Sequence, residues 1–237
     1  HPDQEIILLD ARQVGQGASG RNSGFAVAVS HFPGSFEPDQ MAMYCRVNRI
    51  NRAGLDALYE QVTAHGIECQ WDTGGFHHVA ADHMAVREKG NFARYLERMD
   101  VPHRLLDRDA LAERLGTALY KVGIHVPEGA LIQPAALVGD LANTLPGNVR
   151  LFEKSPVLKL EKGSPVVLTL PNGKIRADAV ILATNNEASK LGYLQRLLVG
   201  STLAGSFTRI LTEDERDSLG VLREWGVLSL HGGGATV

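Results

Sequence analysis

The sequence is sparing with the features that mark several protein classes. Cysteine occurs only twice, at Cys45 and Cys69, with no further thiol at metal-ligand spacing, so neither a disulfide framework nor a zinc site is expected. Long apolar runs are missing: stretches such as Ala26–Val29 and Ala179–Ala183 fall far short of the ~20 residues that cross a bilayer, so no membrane insertion is expected. Neither sign of charge dominates. The 24 basic and 27 acidic side chains give a net charge of −3 without a basic stripe, and no nucleic-acid partner is expected. The opening His1-Pro2-Asp3-Gln4 has neither the basic start nor the apolar core of a signal peptide, and with so few cysteines a reducing cytoplasm is the expected compartment. No repeat or low-complexity segment is visible.

What is present suits a soluble globular protein. The chain has 237 residues, 44% hydrophobic and 22% charged, enough to bury roughly 70% of its unfolded surface. Glu5–Asp10 is an apolar run closed by an acid and predicts a strand buried on both faces of a parallel sheet. A glycine-rich stretch follows from Gly15 to Gly24, then a loop over His31–Pro38. Val47, Ile50, Gly54, Leu58 and Val62 recur at helical spacing, with Asp39 placed to cap the helix and Gly66 to end it. Gly74–Ala81 predicts a strand, and Asp82–Met99 a second helix with Phe92, Leu96 and Met99 inward. Asp107 and Gly116 bracket a third helix. Gln133-Pro134 opens a fourth, with Leu137, Val138, Leu141 and Leu145 as its buried face. Val157–Leu160, Val166–Leu170 and Ala179–Ala183 predict strands, with a turn at Pro171-Asn172-Gly173. Buried parallel-type strands beside an antiparallel meander point to an α/β nucleotide-binding framework with an inserted sheet, with boundaries near residues 70, 127 and 192.

Gly15-Gln16-Gly17-Ala18-Ser19-Gly20 matches the Gly-x-Gly-x-x-Gly phosphate fingerprint, but its context is wrong for one. In a dinucleotide fold the glycines follow the first strand directly and open a helix whose N–H groups receive the pyrophosphate. Here Ala11–Val14 intervene, and Gly24 with Val27 and Val29 follows, which is poor helix-forming material. The expected acid about 20 residues further on is also misplaced, because Glu37 and Asp39 flank Pro38 in a loop. Asp10 is the better acid: at the end of a second strand its carboxylate can accept both ribose hydroxyls of an adenosine. An ordinary strand-end aspartate remains the alternative.

Asp10-Ala11-Arg12, followed by Gly17-Ala-Ser-Gly-Arg-Asn-Ser-Gly24, resembles the D-amino-acid oxidase superfamily of FAD-dependent flavoproteins, in particular its gamma-glutamylputrescine oxidoreductase-like members. Gly129-Ala-Leu-Ile-Gln-Pro134 and Ala177-Asp-Ala-Val-Ile-Leu-Ala-Thr184 agree with that family's order. The resemblance implies a partial FAD-binding Rossmann-like domain of the glutathione-reductase type over 1–70 and 127–192. An inserted mixed or antiparallel-sheet substrate domain would cover 71–126 and 193–237. It implies FAD contacts from Asp10, Ala11, Arg12, Ala18, Ser19, Gly20, Arg21, Asn22, Ser23 and Gly24, from the backbone of Val157 at the adenine, and from Ala183 and Thr184 near the diphosphate. It also implies that a first strand, glycine turn and helix precede His1, and that a further segment follows Val237. Gly232-Gly233-Gly234 is then expected to be a turn.

Such an enzyme oxidises the C–N bond of an amine or amino acid to an imine by hydride transfer to flavin N5, with peroxide formed if oxygen is the acceptor. No general base is needed for a neutral amine, and no catalytic residue is assigned. His77 and His78 alternate on one strand, so one of them could line a substrate pocket, or both are ordinary sheet histidines. Arg209 is a candidate clamp for a substrate carboxylate or a plain surface arginine. Trp71, Phe76 and Trp225 are candidates for ring packing or for core duty. Two other readings stand beside this one. One is an NAD(P)-dependent dehydrogenase using Gly15–Gly20. The other is a cofactor-free, inactive globular fragment that self-associates through an exposed sheet edge.

Overall fold

The computed structural model describes residues 2–29, 38–200, 203–206, 208–218, 225–231 and 236–237. Strands are β1 (Ile6–Leu9), β2 (Phe25–Ala26), β3 (Phe76–Ala80), β4 (Arg104–Leu106), β5 (Val122–Val126), β6 (Ala130–Leu131), β7 (Val149–Phe152), β8 (Lys159–Glu161), β9 (Val166–Leu170), β10 (Gly173–Ala177) and β11 (Val227–Ser229). Helices are α1 (Met41–His65), α2 (His83–Arg98), α3 (Arg108–Leu115), α4 (Pro134–Asn143) and α5 (Glu213–Ser218). Two compact units emerge, His1–Arg21 with Val138–Ser206, and Asn22–Leu137 with Phe207–Val237. The chain therefore changes unit after Arg21, Leu137 and Ser206, whereas the sequence suggested changes near 70, 127 and 192. Pairing supplies the reason. Phe25 is registered with Leu131, Asn48 on α1 bonds Tyr95 on α2, and Arg52 on α1 bonds Glu128, so residues 22–70 belong with the second unit.

In the first unit, β1 and β7 pair in parallel with Ile6 opposite Val149 and Leu9 opposite Phe152. The antiparallel meander β8-β9-β10 forms a separate sheet. Two expectations fail here. Ile6, Ile7 and Leu8 are exposed rather than buried on both faces, because among the described residues β7 is the only strand beside β1. Ala179–Ala183 is not a strand, and Ile181 is 92% exposed. An apolar stretch becomes a buried strand only when neighbours take its N–H and C=O groups and cover its side chains, and among the described residues no strand pairs with it, Val180 and Leu182 being only half-buried. Of the remaining strands, Val166–Leu170 agrees with expectation, Val157–Leu160 is shifted to β8, and β10 completes the hairpin across the Pro171-Asn172 turn.

The second unit holds the four-stranded mixed sheet β11-β3-β5-β4, with β11 parallel to β3 and the other pairs antiparallel. Both its faces are covered. Ala80, Ile124 and Val126 pack with Phe92, Tyr95 and Leu96 of α2, while Val79 and Val227 pack with Leu111 and Leu115 of α3. The helix limits follow their local chemistry. Asp82 Oδ1 accepts from Ala85 N at 2.7 Å and Asp107 Oδ1 from Ala110 N at 2.9 Å, while Gly66 and Gly116 end α1 and α3 in the left-handed conformation. At the start of α4 the Gln133 side chain accepts from Ala135 N at 2.9 Å.

Helix α1 corrects two expectations. Its first turn is preceded by the 3₁₀ segment Pro38–Gln40, so Asp39 is not the cap. Its buried residues are Tyr44, Asn48 and Val62, so the packed stripe runs beside the expected one, and Ile50 is 59% exposed. The reason is Asn48. Its Nδ2 donates to Tyr95 Oη over 2.8 Å in a buried setting, so a polar residue that periodicity assigns to solvent is the one that turns inward. Gly232–Gly234 and His31–Glu37 lie outside the described residues.

Candidate functional site

The first unit brings Asp10, Arg12 and the 152–155 segment together at the carboxyl ends of β1 and β7, the edge at which open α/β sheets bind ligands. Asp10 N donates to Phe152 O at 3.0 Å, Ser155 N to Asp10 O at 2.8 Å, and Lys154 N to Arg12 O at 2.7 Å. The two strand exits are thereby laced to each other. The Asp10 side chain is held by its own loop, with Oδ1 accepting from Arg12 N at 2.7 Å. No second hydrogen bond to that carboxylate comes from the described residues, which leaves Oδ2 available to a hydroxyl. Val14 N donates to Glu153 Oε1 at 2.7 Å, so Glu153, which sequence reasoning did not single out, anchors the next part of the loop.

The glycine loop behaves as its context suggested. Gln16 N bonds Gln13 O, Gly15 has φ +75°, Ala18–Gly20 forms a single 3₁₀ turn and Arg21 N returns to Ala18 O. A β-carbon on Gly20 would collide with the backbone of Gly15, whereas one on Gly17 would meet nothing within 4 Å. The third glycine of the fingerprint is thus explained by a backbone approach inside the loop, and the first by its left-handed φ. No helix springs from Gly20. In the second unit Asn22 Oδ1 accepts from Gly24 N at 2.9 Å, and Gly24 (φ +78°) is buried against the Ile132 carbonyl, a place no side chain could share. Val157 is half-buried ahead of β8. Ala183 and Thr184 are exposed before the 3₁₀ segment Asn185–Leu191, and no hydrogen bond joins them to Asp10.

The second unit separates His77 from His78 as alternation requires. His78 packs on Phe92 of α2 with ring centroids 4.6 Å apart, in the larger core. His77 faces α3, is 1% exposed, accepts from Arg114 Nε at 2.5 Å through Nε2 and lies 4.8 Å from the His125 ring. Burial, then the His125 and Arg114 charges, push the His77 pKa down to about 4, so the ring is neutral near pH 7 with its proton on Nδ1. Burial also lowers His125, whose Nε2 lies 3.0 Å from the Gly74 carbonyl. Sequence reasoning missed His125 and Arg114. The alternation in Val122-Gly-Ile-His-Val126 before Pro127 marks the strand that carries His125, but nothing local predicts Arg114 reaching a strand 37 residues earlier.

Arg209 is exposed, and its guanidinium is engaged by Glu215 through bonds of 2.7 and 2.5 Å. That partner holds the Glu215 pKa down to about 2. Trp71 stacks at a tilt on Tyr59, and Phe76 meets Phe25 edge to face at 5.2 Å, both as packing aromatics. No group of three metal-ligating side chains occurs among the described residues, and no described helix is long and apolar enough to cross a membrane.

A family model for FAD dependent oxidoreductases (DAO) matches residues 2–221. The chain belongs to this family. It is 24% identical over 190 residues to the gamma-glutamylputrescine oxidoreductase of Escherichia coli strain K12, covering 76% of this chain and 43% of that protein. It is 28% identical over 200 residues to the "Probable oxidoreductase OrdL" of Rhizobium meliloti strain 1021, covering 79% of this chain and 45% of that one. Among solved structures, glycine oxidase from Geobacillus kaustophilus superposes with a TM-score of 0.61 at 22% identity, over 79% of this chain and 50% of that one, which shows the shared fold. The chain spans less than half the length of these two curated relatives. FAD is the family's cofactor, and the first unit fits it at one point above all: a strand-end carboxylate fixed on one oxygen and open on the other.

Proposed function

We propose that the protein serves an FAD-dependent oxidoreductase that converts the C–N bond of an amine or amino acid to an imine. The observation that carries this reading is Asp10, held by Arg12 N at the carboxyl end of β1 within a chain whose family match runs over residues 2–221. In this reading Asp10 accepts the ribose hydroxyls. Ala11, Arg12 and Ala18–Gly24 line the dinucleotide, and Val157, Ala183 and Thr184 approach its adenine and diphosphate. Bound flavin would supply the hydride acceptor for the carbon bearing the amine. The protein's share is to hold the nucleotide and to exclude water from the reacting carbon. The name of one curated relative, the gamma-glutamylputrescine oxidoreductase, favours an amine substrate, and we take the sheet of the second unit as the substrate-facing part. Cys45 and Cys69 form no disulfide, and Cys45 is exposed, which agrees with a reducing cytoplasm.

A second reading, a chain that folds without flavin and pairs with a copy of itself, is favoured by the exposed Ile6, Ile7 and Leu8 on a strand with one neighbour among the described residues. One experiment decides between them. The purified chain is titrated with FAD and followed by visible absorption and flavin fluorescence, beside Asp10→Ala. Saturable binding that Asp10→Ala weakens supports the first reading. No binding at excess FAD, with concentration-dependent mass in sedimentation, supports the second. Binding that Asp10→Ala leaves unchanged removes Asp10 from the site.

A further inference from the structure

One row of the four-stranded sheet sets Arg104, His125 and His77 side by side, since Arg104 is registered with His125 and His125 with His77. Directly opposed residues of a ladder share a face. All three therefore stand on the side of the sheet where Arg114 of α3 donates to His77 Nε2. Two permanent guanidinium cations and two imidazoles meet there without an acidic partner. None of the ion pairs among the described residues involves Arg104 or Arg114, and the charged groups that act on His77 are the His125 imidazole and these two arginines, while those that act on His125 are the two arginines.

A second observation points the same way. His77 Nδ1 is buried without a well-formed hydrogen bond, since the nearby Gly226 carbonyl that counteracts the fall in its pKa already accepts from His77 N, and Trp225 Nε1 is buried without a partner. Trp225 packs on the cluster of Val79, Leu111 and Val227, which lies on the same α3-covered face. Because Arg114 occupies Nε2, the free nitrogen of His77 is an N–H donor, as the indole nitrogen always is. Buried donors are ordinarily paired and clustered cations ordinarily neutralised. Both deficits would be met by one species, an oxygen acceptor carrying negative charge.

We propose that this face of the second unit is an oxyanion site that takes a carboxylate or phosphate group on Arg104 and the terminal amino groups of Arg114. A guanidinium fork matches the oxygens of either group. Charge addition at the site favours the imidazolium form of His77 and His125, so by reciprocity the anion binds more tightly as the pH falls below the ordinary histidine range. The site is built wholly from the second unit and needs no flavin, so its success or failure is separate from that of the FAD reading.

The test uses the whole 237-residue chain. Thermal unfolding is followed at pH 6 against sodium acetate and sodium phosphate, with sodium chloride at matched ionic strength as reference. The expected result is a saturable rise in Tm with acetate or phosphate that chloride does not give. Response to acetate alone identifies a carboxylate site, response to phosphate alone a phosphoryl site, and response to both a general oxyanion site. Arg104→Gln with Arg114→Gln should weaken binding roughly tenfold or more, the loss expected for charge-assisted hydrogen bonds, and the corresponding lysine pair should restore part of it. Because the double variant could fold poorly, imidazole ¹⁵N shifts of the unaltered protein provide a second readout, in which saturating anion raises the His77 pKa. No saturable rise beyond chloride, an equal rise in a folded double glutamine variant, or a His77 titration indifferent to anion overturns the proposal.

Discussion

Gly20 lies so close to Gly15 that a β-carbon on Gly20 would run into the Gly15 carbonyl oxygen, and this contact accounts for the third glycine of an apparent phosphate fingerprint, while a φ of +75° accounts for the first. A loop closed on itself and a loop open to phosphate make opposite demands on the middle glycine. Gly20→Ala is expected to destabilise the fold by about 2 kcal/mol, because backbone must move. Gly17→Ala, with open space around it and φ −89°, should stay within about 0.5 kcal/mol. Urea denaturation followed by circular dichroism measures both. Equal sensitivity at the two positions would contradict this account.

Acid should weaken the second unit through His77. Its pKa is about 4 folded against 6.5 unfolded, so between these values the unfolded chain binds the extra proton and stability rises with pH. The contribution is complete above pH 6.5 and is lost as the pH falls to about 4. A shift of that size corresponds to about 3 kcal/mol as an upper figure. Denaturation curves at pH 4.5 and 7 should show most of this difference, and His77→Asn should flatten it. An unchanged slope in His77→Asn would assign the acid sensitivity elsewhere.

The buried face of α1 makes a third prediction. Ile50→Glu, on the exposed side, should change stability by no more than about 0.5 kcal/mol, whereas Val62→Ala should cost about 2 kcal/mol. The reverse order would restore the stripe that periodicity alone suggested.

The Asn48–Tyr95 bond ties α1 to α2 across 47 residues of sequence. Tyr95→Phe leaves Asn48 buried with one donor short of its tyrosine acceptor and should cost about 1–3 kcal/mol. In the double variant Asn48→Leu, Tyr95→Phe the loss should be smaller than the sum of the single losses, since the two groups share one interaction. Strict additivity in the cycle would deny the coupling.

Much of the architecture was readable along the chain wherever a residue acts on its immediate neighbours. Asp82 and Asp107 as caps, Gly66 and Gly116 as stops, and Gln133-Pro134 as the opening of α4 all depend on bonds within one helical turn. The candidate site was legible in part at Asp10, through its bond from Arg12 N, and at Gly20, through its approach to Gly15, although Asp10 also bonds Phe152 and Ser155 far along the chain. It was illegible at Glu153, Arg114 and His125, whose roles arise only when distant segments meet. Central strand β5 escaped notice because Gly123 and His125 interrupt its apolar character. Gly123 brings β5 close to α3, where a β-carbon would come within 3.1 Å of the Leu111 side chain.

Composition and local pattern thus settled the fold class, the helix ends other than the start of α1, and the acid at the strand tip, because these follow from propensity, capping and a strand's period of two. Folding in three dimensions settled the rest. Which face of α1 is buried, whether Ile6–Leu8 and Ala179–Ala183 are covered, and which histidine loses its proton most readily depend on partners far along the chain. Burial and pairing are properties of neighbours in space, and a short window of sequence does not contain them.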